Sequence, residues 1–263
     1  MTPPAESASG APTPPQPMIR TRGLVKEFNG FRAVDGVDLE IGSGTLHALV
    51  GPNGAGKTTL FNMLTGFINP SEGEILIEGV DVTAMAPEQI ARRGVARSFQ
   101  ITSLFEELSL LQHVELALQG RSGQGYRFWQ SDKRLRRFRD EAHELLDRVG
   151  LLSSAGRPAG ALSYGQKRAL ELALALALSP RLLLLDEPTA GMGIEDVAKT
   201  IDLIARIRED RTVVLVEHNM KVVGSLADRV TVLQFGKILA EGDYDEVRAD
   251  PRVITAYLGE SVA

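Results

Sequence analysis

Residues 51–58 read Gly-Pro-Asn-Gly-Ala-Gly-Lys-Thr, the G-x-x-x-x-G-K-[ST] spacing of a phosphate-binding loop. Glycine at these intervals lets successive backbone N–H groups curl around phosphate oxygens, and a helix beginning behind the loop adds the positive end of its dipole. In such a loop Gly51, Pro52, Asn53, Gly54, Ala55 and Gly56 form the cradle. Lys57 reaches the β- and γ-phosphates, Thr58 offers its hydroxyl to Mg2+, and Thr59 continues the helix start. The competing reading is a Gly-rich strand-to-helix turn with an incidental lysine. The apolar run 46–50 before the loop and the helical pattern after it are the context the phosphate-binding reading requires.

A second constellation stands at 182–187, Leu-Leu-Leu-Leu-Asp-Glu. Four apolar residues form a buried strand that delivers a carboxylate to its carboxyl end, where open α/β sheets collect ligands. Asp186 is the candidate to hold Mg2+ through water, and Glu187 to polarise an attacking water as general base. Alone, two acids ending a strand can equally be a solvated turn. Behind a complete phosphate loop they point to a nucleoside triphosphate bound with Mg2+.

The elements around these residues alternate strand and helix at both ends of the chain. Strands are expected over 19–41, with turns at Asn29-Gly30 and Asp35-Gly36, and over 46–50, 75–78, 182–185, 213–216 and 230–233. Helices are expected from Lys57 to about Gly66 and from Ser163 to Leu178. Residues 87–160 read as mostly helical without a strong strand. This order predicts an α/β core with an inserted helical segment, in one domain over 18–263, with no internal repeat.

Bulk properties narrow the function. The 263 residues are 43% hydrophobic, enough for a substantial core, and the net charge of −5 argues against a protein that coats nucleic acid. No cysteine is present, which excludes disulfides, Cys-ligated zinc and thiol chemistry. Residues 1–17 carry six of the 13 prolines and no apolar run, as expected of a disordered tail without a signal-peptide pattern. The longest apolar stretch, residues 172–178, is far short of the ~20 residues that span a bilayer.

Between and beyond the two constellations lie Ser98-Phe99-Gln100, Leu162-Ser163-Tyr164-Gly165-Gln166 and Leu215-Val216-Glu217-His218. In this order the chain from residue 19 onward resembles the ATP-binding domain of the ABC superfamily. The resemblance implies a P-loop core with an antiparallel β subdomain and an inserted α-helical subdomain. It implies ATP and Mg2+ as cofactors, Gln100 as a hinge that senses Mg2+, and His218 as a γ-phosphate contact. It also implies that the loop at 162–166 caps ATP held by the opposite protomer of a dimer. Phe28 stands where the family's early aromatic stacks on adenine; a core phenylalanine is the plain alternative. A lone glutamine is usually surface, and a lone histidine ending a strand is more often structural, so Gln100 and His218 gain meaning only from order and spacing.

The resemblance narrows to ATP-binding subunits of importers for branched-chain amino acids and their urea and amide relatives. It does so on Leu64-Thr-Gly-Phe67, Ile90-Ala-Arg-Arg-Gly-Val-Ala-Arg-Ser-Phe-Gln100, Leu104-Phe-Glu-Glu-Leu108, Ala190-Gly-Met192 and Ala256-Tyr-Leu-Gly-Glu260. It implies an ATPase on the cytoplasmic face of the inner membrane, paired with a second copy or a paralogous subunit. That pair would sit on two membrane-spanning permease subunits fed by a substrate-binding protein, with no nucleic acid. Alternatives are a non-transport ABC ATPase acting on nucleic acid or ribosomes, a lipopolysaccharide-transport type, and an inactive regulatory subunit. Against the polymer-clamping class stand the absence of a second nucleotide domain, of a long heptad segment and of a zinc module.

Two positions depart from the superfamily pattern. Tyr164 replaces the first glycine of the signature loop, which the importer group tolerates. Gly193 stands where aspartate commonly links the two nucleotide sites. The helical insertion carries a basic stretch at about 121–140; residues 127–139 hold six basic residues, one acid and the only tryptophan. Phe138, Ala142, Leu145, Leu146 and Val149 set an apolar helical stripe beside it. The plain reading is an amphipathic helix with a solvated basic face; the sharper one turns Arg134, Arg136 and Arg137 to the inner membrane surface. Residues 104–118 are expected, by resemblance, to receive the coupling helix of the membrane subunit.

Overall fold

Apolar strands with no polar face need cover on both sides, and 182–185 and 213–216 are such strands. The computed structural model describes residues 16–98, 104–122 and 132–258. The elements are β1 (Ile19–Phe28), β2 (Phe31–Val37), β3 (Glu40–Ile41), β4 (Leu46–Val50), α1 (Lys57–Leu64), β5 (Glu72–Ile77), β6 (Val80–Asp81), α2 (Pro87–Arg92) and β7 (Val95–Ser98). They continue with α3 (Leu110–Arg121), α4 (Asp132–Arg148), α5 (Tyr164–Ala177), β8 (Leu182–Asp186), α6 (Ile194–Ile207) and β9 (Thr212–Val216). The chain ends on α7 (Met220–Leu226), β10 (Arg229–Gln234), β11 (Lys237–Gly242), α8 (Tyr244–Ala249) and α9 (Pro251–Leu258).

The central sheet has the order β11-β10-β4-β9-β8-β7, with β10 to β7 parallel and β11 antiparallel at one edge. Successive residues of β8 and β9 serve opposite layers, as a strand's two-residue period dictates. Leu183, Leu185, Val213 and Leu215 pack with α5 and α6. Leu182, Leu184, Val214 and Val216 pack with Leu60, Phe61 and Leu64 of α1 and with the second sheet. That sheet is antiparallel, ordered β2-β1-β5-β6 with β3 on β1. The third layer is helical: Leu110, Val114 and Leu118 of α3 meet Phe138, Ala142, Leu145 and Leu146 of α4 and Leu170 of α5. The stripe read from the sequence is therefore the buried face of α4.

Two local expectations change. Residues 87–160 do contain a strand: β7 pairs in parallel with β8, Val95 opposite Leu182 through Ser98 opposite Leu185. Val-Ala-Arg-Ser has too few apolar residues to announce a strand, and its pairing partner lies almost ninety residues away. Asn29-Gly30 is the β1–β2 hairpin turn, but Asp35-Gly36 lies inside β2. There the register steps from Val25↔Asp35 to Leu24↔Val37, so Gly36, at φ 71°, marks a bulge rather than a reversal.

Candidate active site

In a parallel sheet, strands that start together end together, and the segments leaving their carboxyl ends converge. Residue Leu49 of β4 lies opposite Val216 of β9, and Val216 opposite Asp186 of β8. The phosphate loop leaves β4, Glu187 leaves β8 and His218 comes after β9, so segments well separated in sequence share one sheet edge. The structure thus brings together Gly51 to Thr59, Asp186, Glu187 and the Glu217-His218 turn.

The loop needs glycine at two close approaches. Gly51, at φ 145°, lies so near the Leu233 carbonyl that a Cβ would run into it, and Gly56, at φ 100°, is pressed likewise onto the Ala33 carbonyl. The neighbouring strands β10 and β2 therefore clamp the loop. Ala55 N–H donates to Pro52 O at 3.2 Å, closing its turn. Lys57 is buried, and its ammonium donates to the carbonyls of Gly51 (2.6 Å) and Pro52 (2.9 Å). The N–H groups of the first turn of α1 have no acceptor within a helix. Asn53, Gly54 and Thr58 are exposed around them, with Thr59 half-buried.

Asp186 is 4% exposed and paired with Arg97 of β7, whose Nη2 donates to Oδ2 at 2.8 Å. Glu187 is half-buried and stands at φ 45°, the left-handed region that a non-glycine residue occupies only when its surroundings impose it. Its N–H donates to Val216 O at 2.9 Å and its carbonyl accepts from Ala190 N–H at 3.1 Å. The turn is thereby tied to β9.

Glu217, which sequence reading left without a role, organises this edge. It is fully buried and accepts from Thr189 Oγ1 (2.5 Å), Thr189 N–H (3.2 Å), His218 N–H (3.2 Å) and Asn219 N–H (3.3 Å). One carboxylate so binds the turn after Glu187 to the turn carrying His218. The His218 ring is 60% exposed, with Nδ1 4.0 Å from Glu217 Oε2. Arg97 was likewise missed: the short Val-Ala-Arg-Ser segment gave no sequence signal for a partly buried arginine there.

Phe28 closes the β1–β2 hairpin opposite Phe31. It is 44% exposed, so it is no core phenylalanine, and Lys26 Nζ lies 5.2 Å from its ring centroid. Gln100 falls outside the described residues, as do 123–131 of the basic stretch; Arg136 and Arg137 are exposed on α4.

The signature residues form a different kind of site. Ser163 caps α5: Oγ accepts from Gln166 N–H at 3.3 Å while Gln166 Oε1 accepts from Ser163 N–H at 3.1 Å. Tyr164 is the first helical residue, outside the left-handed region, so glycine is not needed there. Its ring lies 5.5 Å below the Arg168 guanidinium, and its hydroxyl accepts from Arg168 Nη2 at 3.2 Å. Leu162 is buried behind the cap, and Gly165 faces the Asp196 carboxylate closely enough that a Cβ would stand 3.2 Å from it. Gly193 opens α6 without a side-chain cap. Ser163, Gly165 and Gln166 border a cavity of about 620 Å³ whose described lining includes Ser98, Glu171 and Asp196 and none of residues 51–59.

Among the described residues no group of three or more His, Asp or Glu side chains is set to hold a metal ion. A hydroxyl at Thr58 and a carboxylate at Asp186 fit a cation that completes its shell with phosphate oxygens, and the loop's N–H groups fit those phosphates. A family model for ABC transporters matches residues 34–190. The chain belongs to the ABC transporter family. It is an ATP-binding cassette ATPase. A second model, for branched-chain amino acid ATP-binding cassette transporters, matches residues 237–263. The chain is 39% identical over 258 residues to the high-affinity branched-chain amino acid transport ATP-binding protein LivG of Escherichia coli K12, covering 94% of this chain and 99% of the relative. The same identity and coverage relate it over 256 residues to BraF of Pseudomonas aeruginosa. The ADP conformation of MJ1267, an ATP-binding cassette of an ABC transporter, superposes with TM-score 0.81 at 29% identity over 93% of this chain and 99% of that one. A dimeric cassette in a post-hydrolysis state, bound to ADP and Pi, gives 0.72 at 27% identity over 86% and 99%.

Proposed function

We propose that the chain is the ATP-hydrolysing subunit of an importer for branched-chain amino acids or a related amino acid or amide. The observation that supports the chemistry is the common sheet edge of the phosphate loop, Asp186, Glu187 and His218. The substrate class rests on full-length similarity to LivG and BraF and on the match at the C-terminal segment.

In this reading the loop N–H groups and Lys57 take the phosphates, Lys57 exchanging its loop carbonyls for them. Thr58 and Asp186, together with Gln100, would hold Mg2+, which when bound would supply charge neutralisation for the phosphates. Glu187 accepts a proton from the attacking water, and His218 meets the γ-phosphate. Phe28 stacks on the base. Leu162, Ser163, Tyr164, Gly165 and Gln166 face the nucleotide of the opposite protomer, a second copy or a paralogue. ATP closes that dimer and hydrolysis opens it, driving two permease subunits at the cytoplasmic face of the membrane, which a substrate-binding protein supplies. No helix among the described residues is long and apolar enough to cross a membrane.

Glu187→Gln in the assembled transporter tests the chemistry: ATP binding persists while turnover falls. Retained turnover would place the base elsewhere. Uptake of labelled leucine, isoleucine and valine against urea and short amides, in cells with and without the chain, tests the substrate class.

A further inference from the structure

Arg97 makes more contacts than a residue that merely fills an edge strand requires. Its guanidinium is 13% exposed and links three elements. Nη2 donates to Asp186 Oδ2 of β8 at 2.8 Å, and Nη1 to Asn62 Oδ1 of α1 at 2.5 Å, with Thr65 Oγ1 at 3.5 Å. Its carbon lies 4.9 Å from the ring centroid of Phe61 and 5.6 Å from that of Phe67. Two aromatic rings and an amide thus hold the guanidinium that bonds the carboxylate. A buried ion pair is weak evidence for stability, because desolvation offsets the attraction. Its value here is directional: a planar guanidinium held by Asn62 and two rings fixes where the single Oδ2 it bonds can lie, as a lysine's freely rotating point charge does not.

We propose that Arg97 is a positioning residue that orients Asp186 toward the Mg2+ of bound nucleotide. Through Asn62 and the two phenylalanines it ties that orientation to the helix that carries Lys57 and Thr58. Arg97 itself also stands three residues before Gln100 in the sequence. The inference rests on the reading of Asp186 as a magnesium ligand.

The test compares the affinity of a fluorescent ATP analogue in Mg2+ and in EDTA, for the full chain and its variants. Arg97→Met is expected to leave affinity in EDTA unchanged and to cut the gain on adding Mg2+ by about tenfold, the usual cost of losing a partner behind a metal ligand. Arg97→Lys should recover part of the gain, and Asn62→Ala, which only loosens the fork, should lose part of it. Thermal unfolding in EDTA reports whether each variant folds; if Arg97→Met does not, the lysine and alanine variants carry the comparison. Asp186→Asn separates two failures. An Asp186→Asn chain that keeps the full Mg2+ gain overturns the reading of Asp186 and the inference together. An Asp186→Asn chain that loses the gain, beside Arg97 variants that keep it, overturns the inference alone.

Discussion

The two ends of the proposed nucleotide chemistry are built by opposite means. At the strand-end half, the acidic groups and their turns are tied to residues far away in sequence: Asp186 to Arg97, the Glu187 turn to Val216, Thr189 to Glu217. At the signature half, Ser163 and Gln166 satisfy each other within one helical turn, and Tyr164 rests on Arg168 four residues on. The first is assembled by the sheet of one chain. The second is a rigid helix start, self-sufficient and half-exposed, with none of residues 51–59 in the cavity beside it. The contrast fits a site divided between two protomers, each giving its sheet edge to one nucleotide and its helix start to the other.

The contrast can be broken by substitution. Glu187→Gln should lower turnover of the assembled transporter at least about a hundredfold, the scale of a lost general base, and leave ATP affinity unchanged in equilibrium binding. Ser163→Arg should also cost about a hundredfold in turnover, as for one lost oxyanion donor, while ATP binding to the isolated chain stays intact. Loss of binding to the isolated chain would mean that the signature serves its own phosphate loop.

A stability measurement sharpens the strand-end half. His47 of β4 is fully buried, its Nε2 2.8 Å from Thr231 Oγ1 and its Nδ1 without a partner. Burial, with Arg229 adding to it, pushes its pKa down to about 4. The unfolded chain therefore binds more protons between that value and the ordinary ~6.5, so stability falls as pH drops through this window. The loss is on the order of 3 kcal/mol at full protonation. Denaturant titrations from pH 7 to 4 should show that slope, and His47→Asn should flatten it. The smallest effect belongs to the signature: Tyr164→Gly should keep ATPase activity and cost about 0.5–1 kcal/mol, because glycine gains nothing at a helical φ and loses backbone entropy. Thermal unfolding beside an activity assay checks both.

Reading the sequence reached some of this directly. The loop at 51–58 is a local property: eight contiguous residues fix where its N–H groups point, so spacing suffices to propose phosphate binding there. The same holds for the apolar strand ending in Asp186 and for the stripe on α4, whose periods match the elements they form. The order of these pieces carried the family.

Other features are invisible locally. Val95–Ser98 becomes a strand only because β8 offers it an edge. Glu217 is a structural hub only because β8 and β9 end side by side, bringing Thr189 within 2.5 Å. The left-handed Glu187 and the Arg97 fork depend on partners tens of residues away. The sequence by itself determined which groups are available and the local frames that hold them, since helix caps and glycine turns act within a few residues. Which acid meets which base, and which turns are locked together, only the tertiary structure decided. Those pairings arise from strand order and burial, which no short window of residues contains.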